Sequence, residues 1–169
     1  LTLPVLMVLG LPADIANGTN RVADVLQCIV GVKGFDKHDA LDRPAVGPIL
    51  VPTVAGGLVG AIGAVIIPIA NLKPILLLTI LAMSAIILIR SSTLAPPKGT
   101  PVLSPSNSSK GWWSLFAAGI YGGFVQAGVG FILLAALAGV LRYDLKKANA
   151  LKMACTLAFT GVALIVFAL

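Results

Sequence analysis

The uninterrupted apolar run "GWWSLFAAGIYGGFVQAGVGFILLAALAGVL" (residues 111–141) decides which kind of protein this sequence encodes. The run contains no charged residue, and Gln126 is its only strongly polar side chain. As one straight helix it would be about 46 Å long, which exceeds the roughly 30 Å of a bilayer's hydrocarbon core. Five of the residues from 119 to 130 are glycine. We therefore expect the helix to break within that stretch.

The rest of the chain is equally poor in charge. Of its 169 residues, 58% are hydrophobic and only 11% are charged, whereas a soluble domain carries about 25% charged residues. Residues 45–70 and 74–89 are two further runs without any charge. Apolar and polar residues do not alternate along these runs, as they would in a membrane barrel. The sequence therefore predicts an all-α, polytopic transmembrane helical bundle.

Prolines, glycines and charges divide the chain into helices and loops. Residues 1–10 are predicted to end one helix, which Pro12 stops. Further helices are predicted over 15–32, 46–69 and 74–89, with an interfacial loop at 33–44. The Pro-, Ser- and Gly-rich residues 91–111 are the predicted linker, which we expect to be exposed to solvent. A turn in "RYDLKKANALK" (142–152) precedes the last helix, which runs to the end.

Small residues recur on the helix predicted over 46–69. Gly56, Gly60 and Ala64 follow one another at four-residue spacing, which places them on one face of the helix. Such a ridge allows a second helix to approach closely.

The net charge of +6 comes from basic residues that lie in short loops or at helix ends. This placement indicates contact with lipid headgroups and excludes nucleic acid as a partner. Six Lys and Arg residues fall on the side of the loops 33–45 and 91–111, and four on the side of 142–147, counting Lys73. This count places the first two loops in the cytoplasm. Cys28 and Cys155 lie in apolar segments and indicate no disulfide framework.

Two polar helix starts suggest an internal repeat. "LPADIANGTNRVADVLQCIVGV" (11–32) aligns with "YDLKKANALKMACTLAFTGVAL" (143–164) at a shift of 132 residues, and Asn20 falls on Lys152. We expect two four-helix repeats, at 1–90 and 112–169, joined by the linker 91–111. Parts of each repeat have no counterpart in this sequence. If the repeat is complete in the full protein, that protein has about 260 residues and eight helices. Because each repeat would contain four helices, an even number, both repeats would start on the same side of the membrane and run parallel. They would not be parallel if the glycine-rich helices fail to span the membrane.

The two halves of this repeat resemble the sulfite exporter TauE/SafE family of membrane transporters. The first carries Ala-x-Gly-Thr-Asn at 16–20, and the second carries Gly-Gly, Gly-x-Gly, Asp-Leu and Ala-Asn-x-x-Lys within 119–153. The resemblance covers essentially the whole chain, except that the glycine-rich half of the first repeat is absent. It implies a multi-pass protein of the bacterial inner membrane that moves a small anion, such as a sulfur oxyanion or an organosulfonate.

The polar residues of the first motif allow two interpretations. If the helix starts late, the free backbone N–H groups of residues 17–20 would face an anion near the midplane, with side-chain donors from Thr19 and Asn20. Alternatively, Asn17 caps the helix near the headgroups and Gly18 gives flexibility. Arg21 is either an ion-pair partner of Asp24, at i,i+3 spacing, or a ligand of the anion.

The second motif allows the same choice. Lys152 is either the cationic partner of Asn20 across the repeat axis or a lysine that extends to the headgroups. Asn149 caps its helix, forms a hydrogen bond between helices or contributes to the anion site, and Gln126 lies in the middle of an apolar run. The predicted substrate-binding residues are Gly18, Thr19, Asn20, Arg21, Gln126, Asn149 and Lys152.

The sequence offers no catalytic constellation. It contains no metal-ligand spacing, no Ser/His/Asp set, no Walker motif and no histidine inside an apolar run. We therefore expect no enzyme and no cofactor, and a transporter that works by alternating access between two repeats around a shared site. An anion channel, a membrane-embedded enzyme and an assembly subunit are the alternatives.

Overall fold

The computed structural model of the protein describes residues 5–6, 8–66, 74, 78, 81, 101–125 and 128–168. This part of the chain forms five α-helices and contains no strand. The helices are α1 (Ala13–Lys37), α2 (Arg43–Ile66), α3 (Ser109–Phe124), α4 (Val129–Leu134) and α5 (Leu145–Ala168). A 3₁₀ turn (Pro105–Asn107) precedes α3, and a π-helical segment (Ala135–Val140) continues α4. The predicted all-α fold is confirmed for the described residues.

Helix α1 is longer at both ends than the sequence predicted. It begins after Pro12, whose carbonyl oxygen accepts from the N–H of Ala16 at 2.8 Å. It then continues to Lys37, so the predicted interfacial loop at 33–44 shrinks to residues 38–42. The chain offers no proline between Pro12 and Pro44. Helix geometry therefore persists until Asp39, which adopts a positive φ of 50°.

An exposed ion pair closes the turn between α1 and α2. Nε and Nη2 of Arg43 donate to Oδ1 and Oδ2 of Asp36, each at 2.9 Å. The hydrogen bond from Arg43, helped by its charge, holds the pKa of Asp36 below its usual value. The pair therefore supports the turn above the ordinary pKa of an aspartate, and its contribution fades as the pH falls through the lowered value.

Glycines bring α2 and α3 into backbone contact. A Cβ on Gly56 would overlap the carbonyl oxygen of Phe116, and a Cβ on Gly60 would overlap that of Ile120. In return, a Cβ on Gly123 would overlap the carbonyl oxygen of Gly57. The predicted ridge is thus confirmed as a helix contact at Gly56 and Gly60. The paired residue numbers increase together, so α2 and α3 run parallel.

Helix α5 packs on α2 in the same direction. Oγ1 of Thr53 lies 3.9 Å from Sγ of Cys155, and one turn later Gly57 faces the buried Phe159. The main buried core lies between α2, α3, α5 and the π-helical segment. By length and composition, α2 and residues 145–166 of α5 could each cross a membrane.

The run 111–141 breaks and turns back. Helix α3 ends at Phe124, and Gly128 adopts a left-handed conformation, with φ 78°, before α4 begins. The far end returns to the start of α3, because Leu141 packs on Gly111 and its carbonyl oxygen accepts from the N–H of Leu103 at 2.9 Å. The predicted break is confirmed. Residues 111–141 therefore form a hairpin whose returning arm is the helix Val129–Val140.

This hairpin places three loops at one end of the molecule, which we call the basic end: residues 38–42, 101–108 and 141–144. Lys147 lines the same surface pocket as Asp36, Asp42 and Arg43. The prediction that 142–147 lies opposite 33–45 is therefore wrong, because the hairpin does not cross the bundle. As a consequence, α1 ends at the basic end whereas α5 begins there.

The start of α3 and the residues before it are held in place. Oγ of Ser108 accepts from the N–H of Gly111 at 3.2 Å, and Pro105 is buried. The expected solvent exposure of the linker holds for Val102, Ser106 and Lys110, whereas Pro105 is buried and Leu103 packs on the core. Residues 91–100, and the predicted helix 74–89 except 74, 78 and 81, lie outside the described residues.

We expect Gly123→Ala to destabilise the protein by about 1–3 kcal/mol, because its methyl group would force two helix backbones apart. Gly161→Ala is the matched control, since a Cβ there meets nothing within 4 Å. The measurement is thermal unfolding of both variants in detergent. Equal unfolding temperatures would contradict the backbone contact between α2 and α3.

Candidate functional site

A single arginine side chain closes the end of α3. Arg21 is fully buried, with 0% of its surface exposed. Its Nη1 donates to the carbonyl oxygen of Gly122 at 3.4 Å, and its Nη2 donates to those of Gly123 and Phe124. The last carbonyls of a helix have no partner within the helix and carry its partial negative charge. Arg21 therefore satisfies these groups at the tip of the hairpin, which here means residues 122–125 at the end of α3.

Asn20 and Asp24 form a second polar contact on α1. Nδ2 of Asn20, which is 8% exposed, donates to Oδ2 of Asp24 at 3.1 Å. The carboxylate also acts on Arg21 electrostatically. The sequence predicted that the guanidinium group of Arg21 either pairs with Asp24 or binds the anion. In the structure this group is directed at α3, and Asp24 is a nearby opposite charge.

The backbone of residues 17–20 lies inside α1. Because the helix begins at Ala13, Asn17 is its fifth residue, and its N–H lies beyond the four unpaired ones of a helix start. The expected free N–H groups at 17–20 are therefore wrong, and so is Asn17 as the N-cap, a position that Pro12 takes. Gly18 contributes helical backbone, and the Thr19 side chain is exposed.

Lys152 lies at the start of the returning arm. A Cβ built on Gly130 would lie 3.5 Å from Cδ of Lys152. The Nζ atom donates to Oδ1 of Asn149 at 2.9 Å, and Nδ2 of Asn149 donates to the carbonyl oxygen of Leu145 at 2.9 Å. Lys152 is the eighth residue of α5, as expected for a lysine inside the helix.

Asn149 does not cap α5. That role belongs to Asp144, whose Oδ1 accepts from the N–H groups of Lys146 at 2.9 Å and Lys147 at 3.1 Å. The sequence left open a cap, an interhelical bond or an anion contact for Asn149. The hydrogen bonds shown above lie within α5, and they direct the amide oxygen to the ammonium group of Lys152.

Helices α1 and α5 are neighbours, but in opposite directions. Sγ of Cys28 lies 3.9 Å from Sδ of Met153, and a Cβ on Gly31 would lie 3.3 Å from the same sulfur. Lys152 is therefore level with Cys28. Asn20 lies eight residues before Cys28 on α1, which is about 12 Å along the helix axis. The expected direct pairing of Asn20 with Lys152 is wrong, since antiparallel helices bring different positions together.

The break exposes main-chain carbonyl oxygens that no pattern of residues in the sequence predicts. The glycines predicted an interruption, but the carbonyl oxygens of residues 122–124 are main-chain atoms and have no signature in the sequence. The burial of a charged residue in an apolar helix was the signal for Arg21, and its partner could not be inferred from spacing. Gln126 lies outside the described residues.

The fold and the site define a helical membrane protein with an interrupted hairpin and two cationic side chains beside the interruption. Interrupted helices of this kind form the binding sites of many secondary transporters. The family model described as sulfite exporter TauE/SafE matches residues 1–169, the whole chain. The chain therefore belongs to this family of membrane transporters, which confirms the resemblance. No curated protein and no solved structure matches it.

We expect Met153→Cys to be joined to the native Cys28 by a short bifunctional thiol reagent, because α1 and α5 are in contact there. A protease site inserted at the exposed Ser106 would show the link, since the two halves would migrate together on a denaturing gel. The unsubstituted protein and a Leu145→Cys variant are the controls, and both should separate. Separation of the Met153→Cys halves would contradict the contact.

Proposed function

We propose that this protein moves a small oxyanion across the bacterial inner membrane, with a sulfur oxyanion or an organosulfonate as its substrate. The observation that carries the proposal is the position of Lys152 against Gly130, in the first turn of the returning arm. The N-terminal end of a helix presents backbone N–H groups and the positive end of the helix dipole. An ammonium group beside such an end is suited to an anion.

The energetics of the lysine favour the same conclusion. A lysine at bilayer depth costs about 2.5–3.5 kcal/mol on insertion scales. Its hydrogen-bond partner described above is the neutral amide of Asn149, which orients the ammonium group but does not balance its charge. A passing oxyanion would balance it. Because the lysine side chain is only partly buried, the anion could enter and leave without local unfolding.

The other predicted residues have secondary roles in this proposal. Asn149 positions Lys152. Gly18, Thr19 and Asn20 line the passage along α1, about two to three turns from the level of Lys152 and closer to the hairpin tip. Gln126 falls, by its sequence position, in the interruption between α3 and α4. We infer that these groups contact the anion as it passes and that Lys152 provides the main attraction.

Alternating access follows from the proposed repeat. Helices α1 and α5 start at opposite ends of the bundle, and the hairpin between them does not cross. We therefore propose that the segments 11–32 and 143–164 belong to inverted repeats, the exception that the sequence left open. Inverted repeats commonly rock against each other around a site near the midplane.

The charge distribution supports an orientation. The described Lys and Arg residues outside the site lie at or within about one turn of the basic end: Lys33, Lys37, Arg43, Lys110, Arg142, Lys146 and Lys147. Cytoplasmic loops carry the excess of Lys and Arg. We infer that the basic end faces the cytoplasm in a multi-pass protein of the inner membrane.

In vesicles containing the intact protein, Lys152→Met should abolish uptake of labelled sulfite or a sulfonate, because the cation at the interruption is lost. Lys152→Arg should retain part of the activity, since the charge survives in a larger and planar group. The assay is substrate uptake against time, with insertion checked by protease protection.

Lys147→Met is the matched control, because this lysine is exposed on the same helix. It should transport at the normal rate. Normal transport by the Lys152→Met variant would show that Lys152 is only an anchor at the membrane surface, and the proposed site would be abandoned.

A further inference from the structure

Where the hairpin is interrupted, the backbone carbonyl oxygens at the end of α3 need hydrogen-bond donors. Helix α3 ends at Phe124, and the last carbonyl oxygens of an α-helix generally have no partner within the helix itself. Inside a membrane such groups cannot be left to water and must be satisfied by the protein. Arg21 reaches them from a position about one hundred residues away in the chain, through three consecutive carbonyl oxygens.

A guanidinium group is well suited to this task. It is planar, carries five N–H donors and stays charged. Its positive charge also lies at the negative end of the α3 dipole. Asp24 is a nearby opposite charge on the same helix and is held by Asn20. The N–H groups of Arg21 that donate to the α3 carbonyl oxygens cannot donate to a substrate at the same time.

A chain of contacts leads from this cap to the proposed anion site. Gly122, whose carbonyl Arg21 binds, faces Val129, since a Cβ on Gly122 would lie 2.9 Å from its Cγ2 atom. Val129 is the first residue of the returning arm, and its neighbour Gly130 contacts the stem of Lys152. The ring of Phe159 in α5 packs on Gly122 as well, since its Cζ atom would lie 2.6 Å from the same Cβ position.

We propose that Arg21 is a positioning residue of the transport site. By capping α3, it fixes the tip of the hairpin and thereby the start of the returning arm beside Lys152. It does so without binding the anion itself. The link to transport rests on the proposed function, whereas the capping of the tip can be tested without any substrate.

The first experiment measures whether the tip is closed. Val125 directly follows the capped turn and is 2% exposed, so Val125→Cys should react slowly with a maleimide in the absence of anion. Adding Arg21→Met should raise its labelling rate at least tenfold, because the uncapped carbonyls would draw water to the tip. Arg21→Lys should give an intermediate rate, since one ammonium group cannot reach three carbonyls.

Two controls separate this effect from general damage. Arg43→Gln removes an exposed arginine and should leave the labelling of Val125→Cys unchanged. Val102→Cys, at a position that is 50% exposed, should be labelled quickly in every background and report correct insertion. If Arg21→Met fails to insert, Arg21→Lys carries the comparison. Unchanged labelling at Val125→Cys in the variant that inserts would overturn the proposal.

The second experiment separates positioning from substrate binding. A positioning residue predicts that Arg21→Lys opens the tip without anion and lowers the maximal transport rate. A direct ligand predicts a raised KM for the anion with the tip still closed, and that result would overturn the proposal. Should Lys152→Met transport normally, the proposed function fails, yet the labelling result at the tip still decides the role of Arg21 as a cap.

Discussion

The constraint on which this structure depends is the satisfaction of backbone groups where a helix of a membrane protein breaks. One interruption, between Phe124 and Val129, creates two helix ends with opposite needs. The end of α3 presents carbonyl oxygens and a partial negative charge, which Arg21 meets. The start of the returning arm presents N–H groups and a partial positive charge. The same break therefore generates both a structural cation site and a place suited to an anion.

The two arms of the hairpin differ in what they contact. Helix α3 lies in backbone contact with α2 through Gly56, Gly60 and Gly123, where no side chain separates the two helices. Close backbone approach of this kind is how membrane helices associate without a hydrophobic driving force. The returning arm instead faces the flexible stem of Lys152 across Gly130. Helix α3 therefore carries the end that Arg21 caps, and the returning arm borders the proposed site.

A hairpin that does not cross the bundle also determines the topology. It returns the chain to the basic end, so that α5 starts where α1 finishes. The helix starts that carry Arg43 and Lys147 thereby become neighbours. The membrane orientation and the inverted arrangement that we propose both depend on this one feature.

The sequence by itself determined the class of protein, the glycine ridge, the break within 119–130 and the family, because these depend on composition, periodicity and motifs. It did not determine where α1 begins, since both predicted starts, residue 15 and the cap Asn17, lie later than Ala13, and the longer helix forms more hydrogen bonds. Only the tertiary structure showed which loops share an end and what Arg21 binds. The partners of that arginine are carbonyl oxygens, which every residue carries and which only the folded backbone brings into place.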